Sequence, residues 1–143
     1  MNKESVNGME TLDDRELRTK AVVVVDDDEI FLQELSELLA LSGYQTVAVQ
    51  DPLRVLDVVR KIRPELVLLD IKMPEKSGFE VAHEIRDLPE GGNIPIIAVS
   101  GFFKGDKLPL MEICGINAFL RKPFHPLDVI HAIEKLLPKT QWN

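Results

Sequence analysis

ELVLLDIKMP, residues 65–74, places four apolar residues directly before Asp70, and Pro74 follows within a turn's length. Strands that are buried on both faces have continuous apolar sequences, so this segment is predicted to be a central strand of a parallel sheet. Such sheets carry their ligands at the carboxyl ends of their strands, which is where Asp70 lies. A lone aspartate at this position is also a common turn residue. Its importance therefore depends on what the other strands carry at their ends.

The rest of the chain alternates apolar runs with segments whose apolar residues recur at helical spacing. The runs predict four further strands, at residues 21–25, 45–49, 94–99 and 116–120. The helical spacing predicts five helices, at residues 29–42, 52–63, 78–88, about 106–114 and 126–137. Together they predict an α/β fold, a doubly wound five-stranded parallel sheet with helices on both faces.

The same spacing predicts which helical residues face the core. They are Phe31, Leu35, Leu38 and Leu39 in the first helix, Leu53, Leu56, Val59 (or Val58) and Ile62 in the second, Val81, Ala82 and Ile85 in the third, and Val129, Ile130, Ile133 and Leu136 (or Leu137) in the last. Asp28, Asp51 and Ser77 precede helices and are predicted to cap them.

The composition limits the class of protein. The 143-residue chain has 24 acidic and 17 basic side chains, a formal net charge of -7, which disfavours general binding to nucleic acid or anionic membranes. No apolar run reaches the roughly 20 residues of a membrane span, and the N-terminus lacks a signal-peptide layout. Cys114 is the single cysteine, which fits a reducing compartment and a small buried side chain. We expect a cytoplasmic protein with one domain at residues 20–139, a flexible or helical extension at 1–19 and a tail at 140–143.

Most of the predicted strands end in charged or hydroxyl-bearing residues. Asp26 and Asp27 follow the first strand, Asp70 the third, Ser100 the fourth and Lys122 the fifth. In a parallel sheet these positions share one edge, where neighbouring strands are about 4.8 Å apart. Carboxylates crowded there raise one another's pKa unless a cation lies between them. Oxygen-only anionic ligands suit a hard divalent ion, and an incomplete protein cage suits Mg²⁺ best.

The same edge offers what phosphoryl transfer needs. Lys122 supplies a fixed positive charge and Ser100 a hydroxyl donor, and both suit the oxygens of a phosphoryl group beside the metal. Asp70 lies on the middle strand and is the predicted nucleophile, because carboxylates can form acyl phosphates.

Several separated motifs of the chain, in the correct order, resemble those of one family. They are the acidic pair Asp26-Asp27, Asp70 with Met73-Pro74 and Gly78, Val99-Ser100-Gly101, and Arg121-Lys122-Pro123-Phe124. Over residues 20–138 the sequence resembles the receiver domain of two-component response regulators, the CheY-like family. The resemblance implies the strand order 2-1-3-4-5.

The resemblance also implies roles for individual residues. Asp70 would accept a phosphoryl group from a phosphohistidine on a histidine kinase or phosphotransfer protein. Asp27 and Asp70 would ligate Mg²⁺ directly, Asp26 mainly through water, and the backbone carbonyl of Lys72 would complete the set. Ser100 and Phe119 would be switch residues, with the ring swinging inward behind the hydroxyl; the phenylalanine is equally explained as strand core. The Lys122–Pro123 peptide would be cis.

The same set of residues also suggests other functions. A Mg²⁺-dependent phosphohydrolase with an aspartyl-phosphate intermediate needs a second carboxylate two residues after its nucleophile, where this chain has Lys72. A pseudo-receiver that takes no phosphate is disfavoured by the complete acidic set with Ser100 and Lys122. The sequence leaves open a phosphorelay intermediate or a fragment of a larger regulator or hybrid kinase. We expect a single-domain regulator whose last helices and fifth strand bind a downstream protein. Phe102 is predicted to impede the attacking water and prolong the acyl phosphate.

Overall fold

The structure is a computed structural model and describes residues 21–101 and 108–137. Within these residues a parallel sheet has the order β2-β1-β3-β4-β5. Its strands are β1 (Ala21–Val25), β2 (Gln45–Val49), β3 (Leu66–Asp70), β4 (Ile96–Ser100) and β5 (Ala118–Arg121). The predicted fold class and strand order are therefore confirmed.

Helices cover both faces of the sheet. They are α1 (Glu29–Leu41), α2 (Val55–Ile62), α3 (Gly78–Asp87), α4 (Leu108–Ile113) and α5 (Pro126–Leu136), with a 3₁₀ turn at Pro52–Arg54. Across residues 21–101 and 108–137, none of the helices has the length and apolar character needed to cross a membrane.

The apolar strand runs supply two separate cores because successive strand residues point to opposite faces. On one face Val23, Val25, Val67 and Leu69 pack against α2, α3 and α4, and on the other Val22, Val24, Leu66 and Leu68 pack against α1 and α5. Each fully buried aliphatic side chain contributes about 1.5–3 kcal/mol. β1 and β3 are thus packed on both faces, which holds these two strands, and the residues that follow them, in place.

The second helix differs from its prediction. Leu53 was expected in the core but is 62% exposed, while Val55 is fully buried. The cause is that Leu53 lies within the 3₁₀ turn, where Pro52 is the buried residue, and the α-helix begins only at Val55. Asp51 does cap this segment, since its carboxylate accepts the N–H of Leu53 at 3.0 Å.

Other boundaries and caps were predicted more closely. β4 and β5 each begin two residues later than expected, and Leu32 joins Leu35 and Leu39 as a buried residue of α1. The Asp28 carboxylate caps α1 by accepting the N–H groups of Ile30 and Phe31 at 3.0 and 3.2 Å.

Ser77 caps α3 as predicted, and together with Glu80 it forms a capping box. Cys114 is buried as predicted. The predictions for residues 1–19 and 140–143, for Phe102 and for a helix start near Asp106 fall outside the described residues.

Arg86, near the end of α3, connects three segments at the amino-terminal edge of the sheet. Its guanidinium donates to the carbonyl oxygens of Gly91 and Gly115, both at 2.7 Å, and to Asn117 Oδ1 at 3.1 Å. Asn117 Oδ1 also accepts the N–H of Ile96 at 2.8 Å. This network joins the beginning of β4 to the residue before β5.

Candidate functional site

Three carboxylates meet at the carboxyl edge of the sheet, as the sequence predicted. β1 and β3 pair in register up to Val25 and Leu69, so the residues that follow, Asp26 and Asp70, are neighbours. One carboxylate oxygen from each of Asp26, Asp27 and Asp70 lies within 4.8 Å of the others. Asp26 and Asp70 are buried, and Asp27 is exposed. The site therefore has two fixed carboxylates and one at the solvent side.

Lys122 brings positive charge to the same place from the end of β5. Its Nζ donates to Asp26 Oδ2 at 2.7 Å and lies 3.9 Å from Asp70 Oδ1. The other oxygen of Asp26 accepts the N–H of Asp28 at 2.9 Å. Both carboxylate oxygens of Asp26 thus accept a hydrogen bond. The Lys122 ammonium is closer to Asp26 than to Asp70.

Burial and like charge act together on the two inner carboxyl groups. Desolvation, followed by the charge of Asp26, raises the pKa of Asp70 from 3.8 to about 6, against the opposing effect of Lys122. Desolvation also raises the pKa of Asp26, although the hydrogen bond from Lys122 acts in the other direction. Both carboxyl groups are therefore more easily protonated than usual.

The donor set fits a hard divalent cation. Three carboxylates and one ammonium leave a local excess of negative charge in a mostly buried space. Burial, and after it the charge of Asp26, raises the pKa of Asp70 even though the ammonium of Lys122 acts in the opposite direction. Oxygen ligands from three side chains with room for water are the arrangement that Mg²⁺ favours. Lys72 lies in the loop after β3, and its backbone hydrogen-bonds to Asp70.

The remaining predicted site residues lie on β4 and β5. Ser100 is the last residue of β4 and is 1% exposed. Phe119 lies in the middle of β5 opposite Ala98, is half-buried, and packs against the core on the side of α2, α3 and α4. The Lys122–Pro123 peptide is cis, as predicted.

Gly78 allows the loop after Asp70 to close tightly. Its N–H donates to the Ile71 carbonyl at 2.8 Å. A Cβ at this position would overlap the Asp70 carbonyl oxygen and lie 2.7 Å from the Ile71 Cα. The start of α3 therefore contacts the backbone of Asp70 directly, and only glycine fits there.

Gly78→Ala is expected to lower the free energy of unfolding by about 1–3 kcal/mol, because the added carbon meets backbone atoms that cannot rotate away. Urea denaturation followed by circular dichroism measures the change. Gly92→Ala is the matched control, since a Cβ there meets nothing within 4 Å. Equal stabilities of the two variants would contradict this account of Gly78.

Two contacts at the site were not predicted. The Phe31 ring lies under the Lys122 ammonium, with Nζ 4.0 Å from the ring centroid, although the sequence indicated only a core residue. Gln50 donates from Nε2 to the Asp27 carbonyl at 3.2 Å. Gln50 follows β2, so applying the strand-end rule to that strand would have found it. No sequence signal indicates the contact of Phe31 with a residue 91 positions away (122 − 31).

Comparison with known proteins identifies the family of this site. Residues 22–134 match the family described as response regulator receiver domain. The chain belongs to that family. This receiver domain is 37% identical over 119 residues to the polar-differentiation response regulator DivK of Brucella anthropi, and the match covers 82% of this chain and 96% of the relative.

Solved structures share the fold of this receiver domain. Chemotaxis protein CheY4 of Vibrio cholerae matches with a TM-score of 0.79 and 24% identity, over 82% of this chain and 98% of that one. The receiver domain of sensor histidine kinase PA1611 from Pseudomonas aeruginosa matches with a TM-score of 0.76 and 22% identity, over 83% and 98%. The latter structure has a magnesium ion coordinated in its active-site cleft.

Proposed function

We propose that this receiver domain takes a phosphoryl group onto Asp70 from a histidine kinase or histidine phosphotransfer protein, in the presence of Mg²⁺. The observation that carries the proposal is the position of Asp70, beside Asp26 and Asp27 with the Lys122 ammonium 3.9 Å away. At such a site a divalent ion would offset the charge of the carboxylates, and the ion and the ammonium together would bind the oxygens of a phosphoryl group on Asp70.

The chemistry is a transfer between two nucleophiles. An oxygen of the Asp70 carboxylate forms a bond to phosphorus while the bond from phosphorus to the donor imidazole breaks, and the imidazole keeps the electron pair and takes a proton from solvent. Asp26, Asp27, Asp70 and the backbone carbonyl of Lys72 would hold Mg²⁺, which neutralises charge on the phosphoryl oxygens when it is bound. Lys122 would bind one of those oxygens.

Phosphorylation would then change which proteins the domain binds. The new phosphoryl oxygens accept hydrogen bonds, and Ser100 at the end of β4 is the proposed hydroxyl donor. Phe119 lies two residues from the end of the neighbouring strand and would repack as the hydroxyl moves. The surface of α4, β5 and α5 would bind the downstream protein.

The proposal describes a signalling module rather than an enzyme with an external substrate. It would act in the cytoplasm, undergoing only self-phosphorylation and slow loss of the phosphoryl group. Lys72 occupies the position where a phosphohydrolase of the aspartyl-phosphate class needs its second carboxylate, which disfavours that alternative. The magnesium ion in the PA1611 receiver domain supports the choice of metal.

Intact-mass measurement after treatment with acetyl phosphate and Mg²⁺ tests the proposal. We expect a single added phosphoryl group, because acetyl phosphate is a small phosphoryl donor that releases acetate and needs no partner protein. With EDTA in place of Mg²⁺ we expect no labelling, since the crowded carboxylates then repel the incoming anion. Equal labelling with and without the metal would contradict the proposed metal site, and no labelling under either condition would contradict the proposed function.

A further inference from the structure

The Lys122 ammonium lies between two kinds of partner. On one side are Asp26 Oδ2 at 2.7 Å and Asp70 Oδ1 at 3.9 Å. On another is the face of the Phe31 ring, whose centroid is 4.0 Å from Nζ. The lysine side chain is 24% exposed, so protein atoms replace much of the water that would otherwise surround it. A cation at this distance over an aromatic face is attracted by the ring quadrupole.

The Phe31 ring is itself fixed from two directions. Its backbone belongs to the first turn of α1, which is capped by Asp28. The Phe124 ring packs against it edge to face, with centroids 5.9 Å apart and an interplanar angle of 77°. Both rings are partly buried against the core on the side of α1 and α5. The Phe31 ring is therefore held in place by contacts that do not involve Lys122.

We propose that Phe31 is a positioning residue for phosphoryl transfer, an inference that rests on the proposed function. Asp26 alone would draw the flexible lysine side chain towards the end of β1. The ring gives the ammonium a second attachment besides that carboxylate, and the two together keep Nζ within reach of the Asp70 oxygen 3.9 Å away. Lys122 then needs little rearrangement to bind an oxygen of the transferred group, which raises the rate.

This role depends on the electron density of the ring as well as on its volume, and the two can be separated. Site-specific incorporation of phenylalanines with one to five ring fluorines at position 31 weakens the attraction stepwise while nearly conserving shape. We expect the rate of labelling by acetyl phosphate and Mg²⁺ to fall with each step, reaching about fivefold for the fully fluorinated ring, or about 1 kcal/mol. Phe79, which packs on the opposite face of the sheet, is the matched control site.

A second measurement needs neither metal nor phosphoryl donor. Protons above an aromatic face are shifted upfield by the ring current, so the ε-methylene protons of Lys122 are expected upfield of those of exposed lysines. The shift should disappear in Phe31→Leu and persist in Phe31→Tyr. Thermal unfolding of both variants verifies that they remain folded under the conditions of the spectra.

The outcomes separate this inference from the proposed function. A rate that falls with fluorination at position 31 but not at position 79, together with the upfield shift, supports the role of Phe31. A labelled wild type whose rate is insensitive to fluorination overturns that role and leaves the proposed function standing. A wild type that takes no phosphoryl group overturns the proposed function and the role in transfer together, even if the upfield shift shows that Phe31 and Lys122 are in contact.

Discussion

Asp70→Asn is expected to reduce phosphoryl labelling of the receiver domain to background while the fold survives. The amide has nearly the shape of the carboxylate but lacks the anionic oxygen that would form the bond to phosphorus. The substitution also removes one of three mutually repelling carboxylates, so the metal-free variant should be at least as stable as the wild type at neutral pH.

Intact-mass measurement with acetyl phosphate and Mg²⁺ checks the labelling, and thermal unfolding checks the fold. Asp57→Asn is the matched control, because it makes the same chemical change on an exposed position of α2. We expect that control to label as the wild type does. Comparable labelling of Asp70→Asn and the wild type would refute the assignment of Asp70 as the phosphoryl acceptor. If the Asp70→Asn variant is unfolded, the carboxylate also has a structural role.

The metal-free wild type is expected to lose stability relative to Asp70→Asn as the pH rises. Asp70 has a pKa of about 6 in the folded state and an ordinary value of 3.8 when unfolded, so between these values the folded state binds the proton more tightly. The stability due to the protonated carboxyl is fully present below about pH 4 and lost as the pH passes 6. The difference in free energy of unfolding between the wild type and Asp70→Asn should change by about 3 kcal/mol over this pH range.

Urea denaturation in EDTA at several pH values from 4 to 7.5 gives the free energy of unfolding of both proteins. Using the difference between them cancels the titration of shared groups that do not interact with Asp70, whereas the coupled titration of Asp26 remains in the difference. Mg²⁺ added at the upper end of the range should restore stability to the wild type more than to the variant, because bound metal stabilises the folded state. A difference that stays constant across the range, or grows in favour of the wild type, would contradict the raised pKa of Asp70.

Much of the fold was predictable because few alternatives satisfy its sequence. A run such as Val22–Val25 or Leu66–Leu69, which is buried on both sides, is typical of a central parallel strand. The carboxylates of Asp26 and Asp70 follow those runs, so their meeting at one edge follows from strand order alone. That these residues share one edge follows from parallel strands, whereas the adjacency of β1 and β3 came from the strand order that the family resemblance implies.

What the sequence did not predict depends on local geometry. The exposure of Leu53 follows from one 3₁₀ turn whose residues also suit an α-helix. To predict the contact of Lys122 with Phe31, the positions of α1 and of the loop after β5 must be known to within about 1–2 Å. Gly78 was singled out as part of a motif, but the overlap that excludes a side chain there is visible only once Asp70 and α3 are placed.

The Arg86 network holds the beginnings of β4 and β5 together through side-chain hydrogen bonds. Arg86 and Asn117 anchor the beginnings of β4 and β5, whereas Ser100 and Lys122 lie at their opposite ends. At that far end the Lys122 N–H donates to the Ser100 carbonyl at 2.9 Å, so the backbone also joins the two strands beside the site. We therefore expect a displacement of Ser100 to carry the backbone of Lys122, and with it the ammonium, in the same direction.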